Sequence, residues 1–331
     1  MTKEFYGHAN GKDIYKYTIK NANLQMSVIN YGAIIEDLTF IDLNNQNVSL
    51  VLKRNTLDEY IADRSYLGAV IGRFCNRIEN GRFMLNGVKY QVTQNQKGNL
   101  LHGGEQGFNK KVWQVKQVTD NSITLFYQSV DGEEGFPGNL DTTVKYTLTS
   151  ENKLQIEYFA TTDKDTIVNF TNHTYFNVNG IENTTEGIEL QIDSDNITAV
   201  DSNRIPHGDL TEVRGTLFDF NQKREFNCDF SGNQILSARG HYDENFVLNG
   251  QGIRRIALIS SKNTGIVMQV ITDQPCMQVF SGNSKGIALE TQGYPNSINC
   301  PLFPSPILRK GEVYKTITEY AFSLNEKNKS V

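Results

Sequence analysis

Two residues in this sequence are suited by type to moving protons near neutral pH. His173 sits in Val168-Asn169-Phe170-Thr171-Asn172-His173-Thr174-Tyr175-Phe176-Asn177, an imidazole among amides and aromatics rather than among charges. The stretch reads as a β-strand, and its histidine is either a hydrogen-bonded structural residue or a poised acid or base. Glu290 follows the apolar run Gly286-Ile287-Ala288-Leu289 directly. An acid at such a place is either paired within the structure or tuned for proton transfer. The two lie far apart in the chain, so only the fold can make them partners.

Further polar residues gather in patterns that suit a ligand bearing hydroxyls. Arg73 and Arg77 interrupt a glycine-punctuated apolar run from Leu67 to Ile78, where a guanidinium must meet a carboxylate, carbonyls or a ligand's hydroxyls. His102 precedes Gly103-Gly104, and glycines let backbone or ligand approach closely. Asp243 and Glu244 follow His241-Tyr242, and Phe280 stands before Ser281-Gly282-Asn283. Sugar clefts combine aromatic faces with carboxylates in this way, although aromatic-rich turns also serve as packing. The acids of Asp131-Gly132-Glu133-Glu134, before Gly135-Phe136-Pro137-Gly138, read as solvated loop residues.

The elements that must position these residues are strands. Period-two alternation recurs from end to end, and sustained helical periodicity is nearly absent. Gly81 to Leu85, Asn86-Gly87 and Val88 to Val92 read as strand, tight turn and strand. Val144 to Thr149 and Lys153 to Ala160 read as a second hairpin, with Leu154, Ile156 and Tyr158 on one face. More strands are expected at Ser122 to Gln128, Gly187 to Asp193, Arg255 to Ser260, Gly265 to Thr272 and Met277 to Phe280. The one helix expected is short, capped by Asn55 or Thr56 and carrying Leu57, Tyr60 and Ile61 on one side. No linker, charge run or repeat interrupts the series, so residues 1–331 are read as a single all-β domain of packed antiparallel sheets.

Composition narrows the function classes. A chain of 331 residues buries about three quarters of its unfolded surface and needs no staples. Its 32 basic and 37 acidic residues are interspersed and sum to −5, which argues against nucleic-acid and anionic-membrane partners. The N-terminus has no apolar leader core and no segment approaches the length of a membrane span, so a cytoplasmic protein is expected. Cysteines 75, 228, 276 and 300 are isolated, without the spacings of zinc or redox sites, and are read as reduced thiols.

Taken together, these motifs resemble the galactose mutarotase (aldose 1-epimerase) family. The likeness runs from near residue 7 to near residue 322. It is carried by Gly72-Arg73-Phe74-Cys75-Asn76-Arg77-Ile78, Leu101-His102-Gly103-Gly104, Gly135-Phe136-Pro137-Gly138, Asn169 to Asn177 and Leu289-Glu290-Thr291-Gln292. The resemblance implies a large antiparallel β-sandwich with an open sugar-binding cleft and no metal or organic cofactor. It implies interconversion of the α and β anomers of a free hexose such as galactose or glucose, with the monosaccharide as partner and either a monomer or a homodimer as the assembly. By motif position His173 matches the general acid and Glu290 the general base. Arg73, His102 and Asp243 match residues that hold the sugar's hydroxyls and ring oxygen, and Phe280 matches a cleft-lining position.

The chain departs from the family pattern at Cys75, where Ala is usual, and at His241 and Glu244, which flank Asp243 where Gly and His are common. Lys310 replaces a common Pro far from the proposed chemistry. Opening a hemiacetal requires taking the proton from the C1 hydroxyl and giving one to the ring oxygen, so one base and one acid suffice. The expected starting state has Glu290 ionised and His173 protonated, with Glu290 or Asp243 supplying the negative charge that keeps the imidazole charged. Two other functions fit the same scaffold: a sugar-binding module without turnover, and an epimerase of hexose phosphates. The latter needs a further basic cluster, for which Arg73 and Arg77 are the only candidates among the motifs.

Overall fold

A computed structural model of the protein describes residues 1–226, 234–283 and 285–325. Its first strands, Thr2–Ala9, Lys12–Lys20, Leu24–Ile29, Ile34–Ile41 and Asn47–Ser49, form a five-stranded meander in chain order. A nine-stranded sheet takes Gln114–Val118, Ser122–Ser129, Leu140–Leu148 and Lys153–Thr162 in sequence. It continues with Val313–Leu324, Ile266–Thr272, Arg254–Ser260, Glu189–Ile192 and Arg224–Glu225. A six-stranded sheet runs Tyr175–Phe176, Gly286–Gln292, Cys276–Asn283, Asp243–Val247, Asn196–Val200 and Pro206–Glu212. The ladders within all three are antiparallel, as expected for a large β-sandwich.

One apolar cluster draws on all three sheets: Met26 and Leu38 from the first, Val144, Ile156 and Met268 from the second, Phe246, Val279 and Leu289 from the third. Alternation explains this directly. Every second residue of a strand points to one face, so Val279 and Leu289 enter the core while Gln278, Phe280 and Glu290 must point the other way.

The expected hairpins form. Arg82–Leu85 pairs with Val88–Gln91, and Asn86 and Gly87 adopt φ of +51° and +77°, the left-handed pair that a two-residue turn of this twist requires. Leu154, Ile156 and Tyr158 are buried on one face of Lys153–Thr162. The helix is Leu57–Ala62, and Thr56 rather than Asn55 caps it by accepting the Glu59 N–H at 3.3 Å. A second short helix, Gln234–Arg239, was not expected, because six residues are too few to display helical periodicity. Cys228 lies outside the described residues, and Lys310 sits at the surface, its backbone N–H donating to Asp165 Oδ1 at 2.9 Å.

The stretch from Val168 to Asn177 is not one strand. It breaks into Thr171–Asn172 and Tyr175–Phe176, which pair with different partners, and His173 lies in the break. The cause is local: the Asn172 side-chain oxygen accepts the Thr174 N–H at 3.1 Å, offering the backbone an alternative to the ladder. The Asn172 amide also donates to Gly68 O at 3.0 Å, and the His173 backbone bonds Ala69 O and the Gly68 N–H. The imidazole is thus carried by a fixed kink.

Candidate active site

The outer face of the six-stranded sheet assembles half of the site by register alone. Gln278 stands opposite Glu290 and Asn245, and Phe280 opposite Asp243 and Ala288. Directly opposed residues share a face, so Glu290, Gln278, Phe280 and Asp243 form a contiguous polar and aromatic patch. The other half comes from two short segments: Arg77–Ile78 pairs with Leu100–Leu101, which brings Arg77 and His102 together, and the kink at 172–174 supplies His173. All seven line one cleft of about 1010 Å³, ample for a monosaccharide.

His173 and Glu290 meet at the bottom of this cleft. His173 Nε2 is 3.5 Å from Glu290 Oε1, with side chains 5% and 2% exposed. Burial pushes the Glu290 carboxyl up to about 8, opposed by the Arg77 guanidinium, and pulls the His173 imidazole down to about 4. Both shifts disfavour the charged pair, so burial favours the neutral form, with the proton on Glu290 and the imidazole uncharged. This reverses the expected starting state, because desolvation disfavours two buried charges more than their attraction favours them. His173 Nδ1 and Glu290 Oε2 have no hydrogen-bond partner. Tyr175 and Phe280 wall the imidazole at ring distances of 5.0 and 6.3 Å, and Tyr66 lies 5.7 Å away.

His102 is held in one tautomer. The Asn76 backbone N–H donates to its Nδ1 at 3.2 Å, so the ring proton resides on Nε2 and only a donor remains to offer a ligand. Burial, with His173 and Arg77 nearby, holds its pKa well below the ordinary value. From Asn76 a hydrogen-bonded chain crosses the cleft. Its side-chain amide donates to Gln278 Oε1 at 3.1 Å, and the Gln278 amide donates to Asp243 Oδ1 at 2.6 Å. The other carboxylate oxygen of Asp243 forms an ion pair with Arg204, so Asp243 is neutralised and supplies no net charge to His173.

The assignment of Arg73 to the sugar is corrected by its surroundings. Arg73 is 2% exposed and does not line the cleft. It donates to Ser129 Oγ, Ser129 O, Val130 O and Pro137 O at 2.8 to 2.9 Å, four contacts that leave little for a ligand. Its task is to hold the loop through Gly135-Phe136-Pro137-Gly138. Arg77 is the arginine of the cleft. Its Nε bonds Gln96 Oε1 at 2.8 Å and one arm reaches Asn76 Oδ1 at 3.4 Å, leaving donors toward Glu290. Asn76, Gln278, Tyr66 and Arg204 were not singled out from the sequence; Asn76 carried a signal as part of the Gly72 to Ile78 motif, and Gln278 as the residue two before Phe280 on an expected strand.

His102, His173 and Glu290 place ligand-type atoms within 4.8 Å of one another, yet the set suits a cation poorly. A metal on His102 Nε2 would force the proton onto Nδ1, against the Asn76 N–H, whereas metal-bound imidazoles need an acceptor there. Arg77 adds a positive charge beside the carboxylate.

The family model for aldose 1-epimerase matches residues 15–321. The chain belongs to the aldose 1-epimerase family. It is 36% identical to the aldose 1-epimerase of Escherichia coli strain K12, over 91% of this chain and 93% of that protein. It is 33% identical to the galactose mutarotase of Homo sapiens, over 98% and 99%. Its fold superposes on the crystal structure of galactose 1-epimerase from Lactobacillus acidophilus with a TM-score of 0.87 at 28% identity, covering 98% of this chain and 99% of that one. Against this aldose 1-epimerase background the polar face of the six-stranded sheet reads as a sugar site. Among the described residues no helix is long and apolar enough to cross a membrane.

Proposed function

We propose that the protein interconverts the α and β anomers of free aldoses, with His173 as general acid and Glu290 as general base. The observation that carries this reading is the 3.5 Å approach of His173 Nε2 to Glu290 Oε1 at the bottom of the cleft. The two oxygens on the anomeric carbon of a hemiacetal are bonded to one atom, so an acid and a base this close can address one each.

Binding replaces water by sugar hydroxyls around Glu290 and moves the shared proton to His173, with Arg77 stabilising the carboxylate. Glu290 then takes the proton of the C1 hydroxyl as that oxygen's electrons form the carbonyl. The bond from C1 to the ring oxygen breaks toward oxygen, which receives the proton of His173. Rotation about C1–C2 presents the other carbonyl face; on closure the ring hydroxyl returns its proton to His173 and Glu290 protonates the new C1 oxygen. Because His102 is locked neutral, the protonated His173 meets no second imidazolium, and His102 Nε2–H remains a donor to a hydroxyl. Each positioned acid or base contributes roughly 10² to 10⁴ in rate.

Polarimetry on freshly dissolved α-D-galactose and α-D-glucose tests the proposal. Relaxation faster than the spontaneous rate and proportional to protein concentration is the expected result. An unchanged rate in the presence of bound sugar leaves a sugar-binding module, and a strong preference for the 6-phosphate leaves a hexose-phosphate epimerase. A cytoplasmic site of action is part of the same proposal, supported by free thiols at Cys75, Cys276 and Cys300.

A further inference from the structure

Arg204 lies on no recognised motif, yet the fold delivers its guanidinium to the sugar cleft. It is presented by the turn that joins Asn196–Val200 to Pro206–Glu212. That turn is built to be rigid. Asp201 Oδ1 accepts the N–H groups of Asn203 and Ile205 at 2.8 and 2.9 Å, and the Arg204 N–H donates to Asp201 O at 3.0 Å. Ile205 is buried beneath it. Arg204 itself adopts φ +64°, a left-handed conformation that a side chain bearing a Cβ takes only when its surroundings impose it.

The guanidinium ends on Asp243. Its Nη1 pairs with carboxylate Oδ2 and donates to the Asp243 carbonyl at 3.1 Å. Both partners remain partly open, with side chains 21% and 14% exposed in the cleft wall. Asp243 is anchored from two further sides: Gln278 donates to Oδ1, and the Asp243 N–H donates to Glu244 Oε2 at 2.8 Å, with Glu244 in turn paired with Arg239. The pair with Arg239 accounts for an acid at Glu244 beside the Asp243 carboxylate.

We propose that Arg204 and Asp243 act together as a clamp on two adjacent sugar hydroxyls, which makes Arg204 a substrate-contacting residue that sets which aldoses this protein takes. The chemistry is one of matched capacity. A carboxylate has about four acceptor sites and a guanidinium five donors; the mutual pair and the anchoring bonds consume only part of each. Adjacent hydroxyls on a ring present the complementary set, one O–H to donate and one neighbouring oxygen to accept. Because the two charges neutralise each other, the clamp recognises a neutral sugar without favouring an anionic one. A rigid turn and an anchored carboxylate fix the spacing, so a substrate lacking either hydroxyl, or carrying one with inverted configuration, leaves a partner unsatisfied.

The clamp rests on the reading of the cleft as an aldose site, and equilibrium binding separates the two. Calorimetric titration of wild type and Arg204→Ala with D-galactose and each of its monodeoxy analogues is the measurement. The variant is expected to bind D-galactose about tenfold more weakly. One analogue, penalised at least about fivefold in wild type, is expected to lose most of that penalty in the variant, as coupled partners do. A uniform weakening with every analogue's penalty intact overturns the clamp, since that is what a merely structural arginine would give. Arg204→Lys keeps a cation on Asp243 but has no second arm; it is expected to show the same loss of discrimination at an unchanged melting temperature, and retained discrimination there also overturns the clamp. A wild type that shows the coupling without accelerating mutarotation keeps the clamp and removes the epimerase reading. Acceleration without coupling removes the clamp alone, and a wild type that binds none of these sugars removes both.

Discussion

The two walls of the cleft are built on opposite principles. Around Asp243 the described polar atoms are matched: Gln278 and Arg204 hold its carboxylate, Asn76 holds Gln278, and Arg239 holds Glu244. Around His173 and Glu290 they are not, and one atom of each side chain is buried without a partner. A buried polar atom left unmatched costs on the order of 1–3 kcal/mol, so the reacting wall stores a demand for hydrogen bonds that only a ligand can meet. The difference teaches a division of labour. The proposed acid and base are each left with an unmatched atom, whereas Asp243 is anchored and still keeps capacity for a ligand.

The largest expected effect falls on the reacting wall. Glu290→Gln and His173→Asn should each lower kcat by roughly 10² to 10⁴ with little change in KM, and the double variant should lose far less than the product of the two, because acid and base act as a unit. Either variant retaining full activity in polarimetry would break the comparison. The two arginines of the Gly72 to Ile78 stretch come next. Arg77→Ala should lower kcat/KM about 10- to 100-fold at a nearly unchanged melting temperature. Arg73→Ala should instead lose on the order of 3 kcal/mol in denaturant unfolding, since it strips four acceptors, three of them buried, of their donor, while folded molecules keep their activity. On the holding wall, Asp243→Asn should raise KM roughly tenfold and spare kcat.

The smallest effects are those of pH, and they sharpen the reacting wall's electrostatics. kcat/KM should follow a bell limited near pH 4 and near pH 8, the range in which the His173–Glu290 pair carries one proton. Stability should respond as well. The folded state raises the Glu290 pKa from 4.5 to about 8, so its contribution is fully present below the unfolded value and is lost as pH climbs through the folded one. Glu290→Gln has no such slope. Its melting temperature should therefore gain on wild type by a few degrees between about pH 5 and about pH 9, and a constant difference across that range would contradict a carboxyl kept neutral by burial.

What was legible in the sequence is what short-range rules decide. Asn86-Gly87 fixes its hairpin because two successive left-handed residues admit few alternatives, and alternation in Lys153–Thr162 declares which face is buried. His173, Glu290, His102, Asp243 and Phe280 were picked out by type and motif, and the fold gathers all five in one cleft. Choices that depend on what approaches a side chain from elsewhere were not legible. Arg73 and Arg77 are chemically identical and four residues apart, and only the loop at 129–137 closing on one of them decides which is spent on carbonyls. The proton's place on Glu290 rather than His173 depends on burial, which no local pattern states. Arg204 reaches Asp243 through the register of Asn196–Val200 beside Asp243–Val247 and the turn that follows, so its position is a product of the sheet. The residue types that can do the chemistry are thus written locally, while their protonation, their pairing and the choice between equivalents are set by the folded surroundings, because desolvation and hydrogen-bond matching act through space and not along the chain.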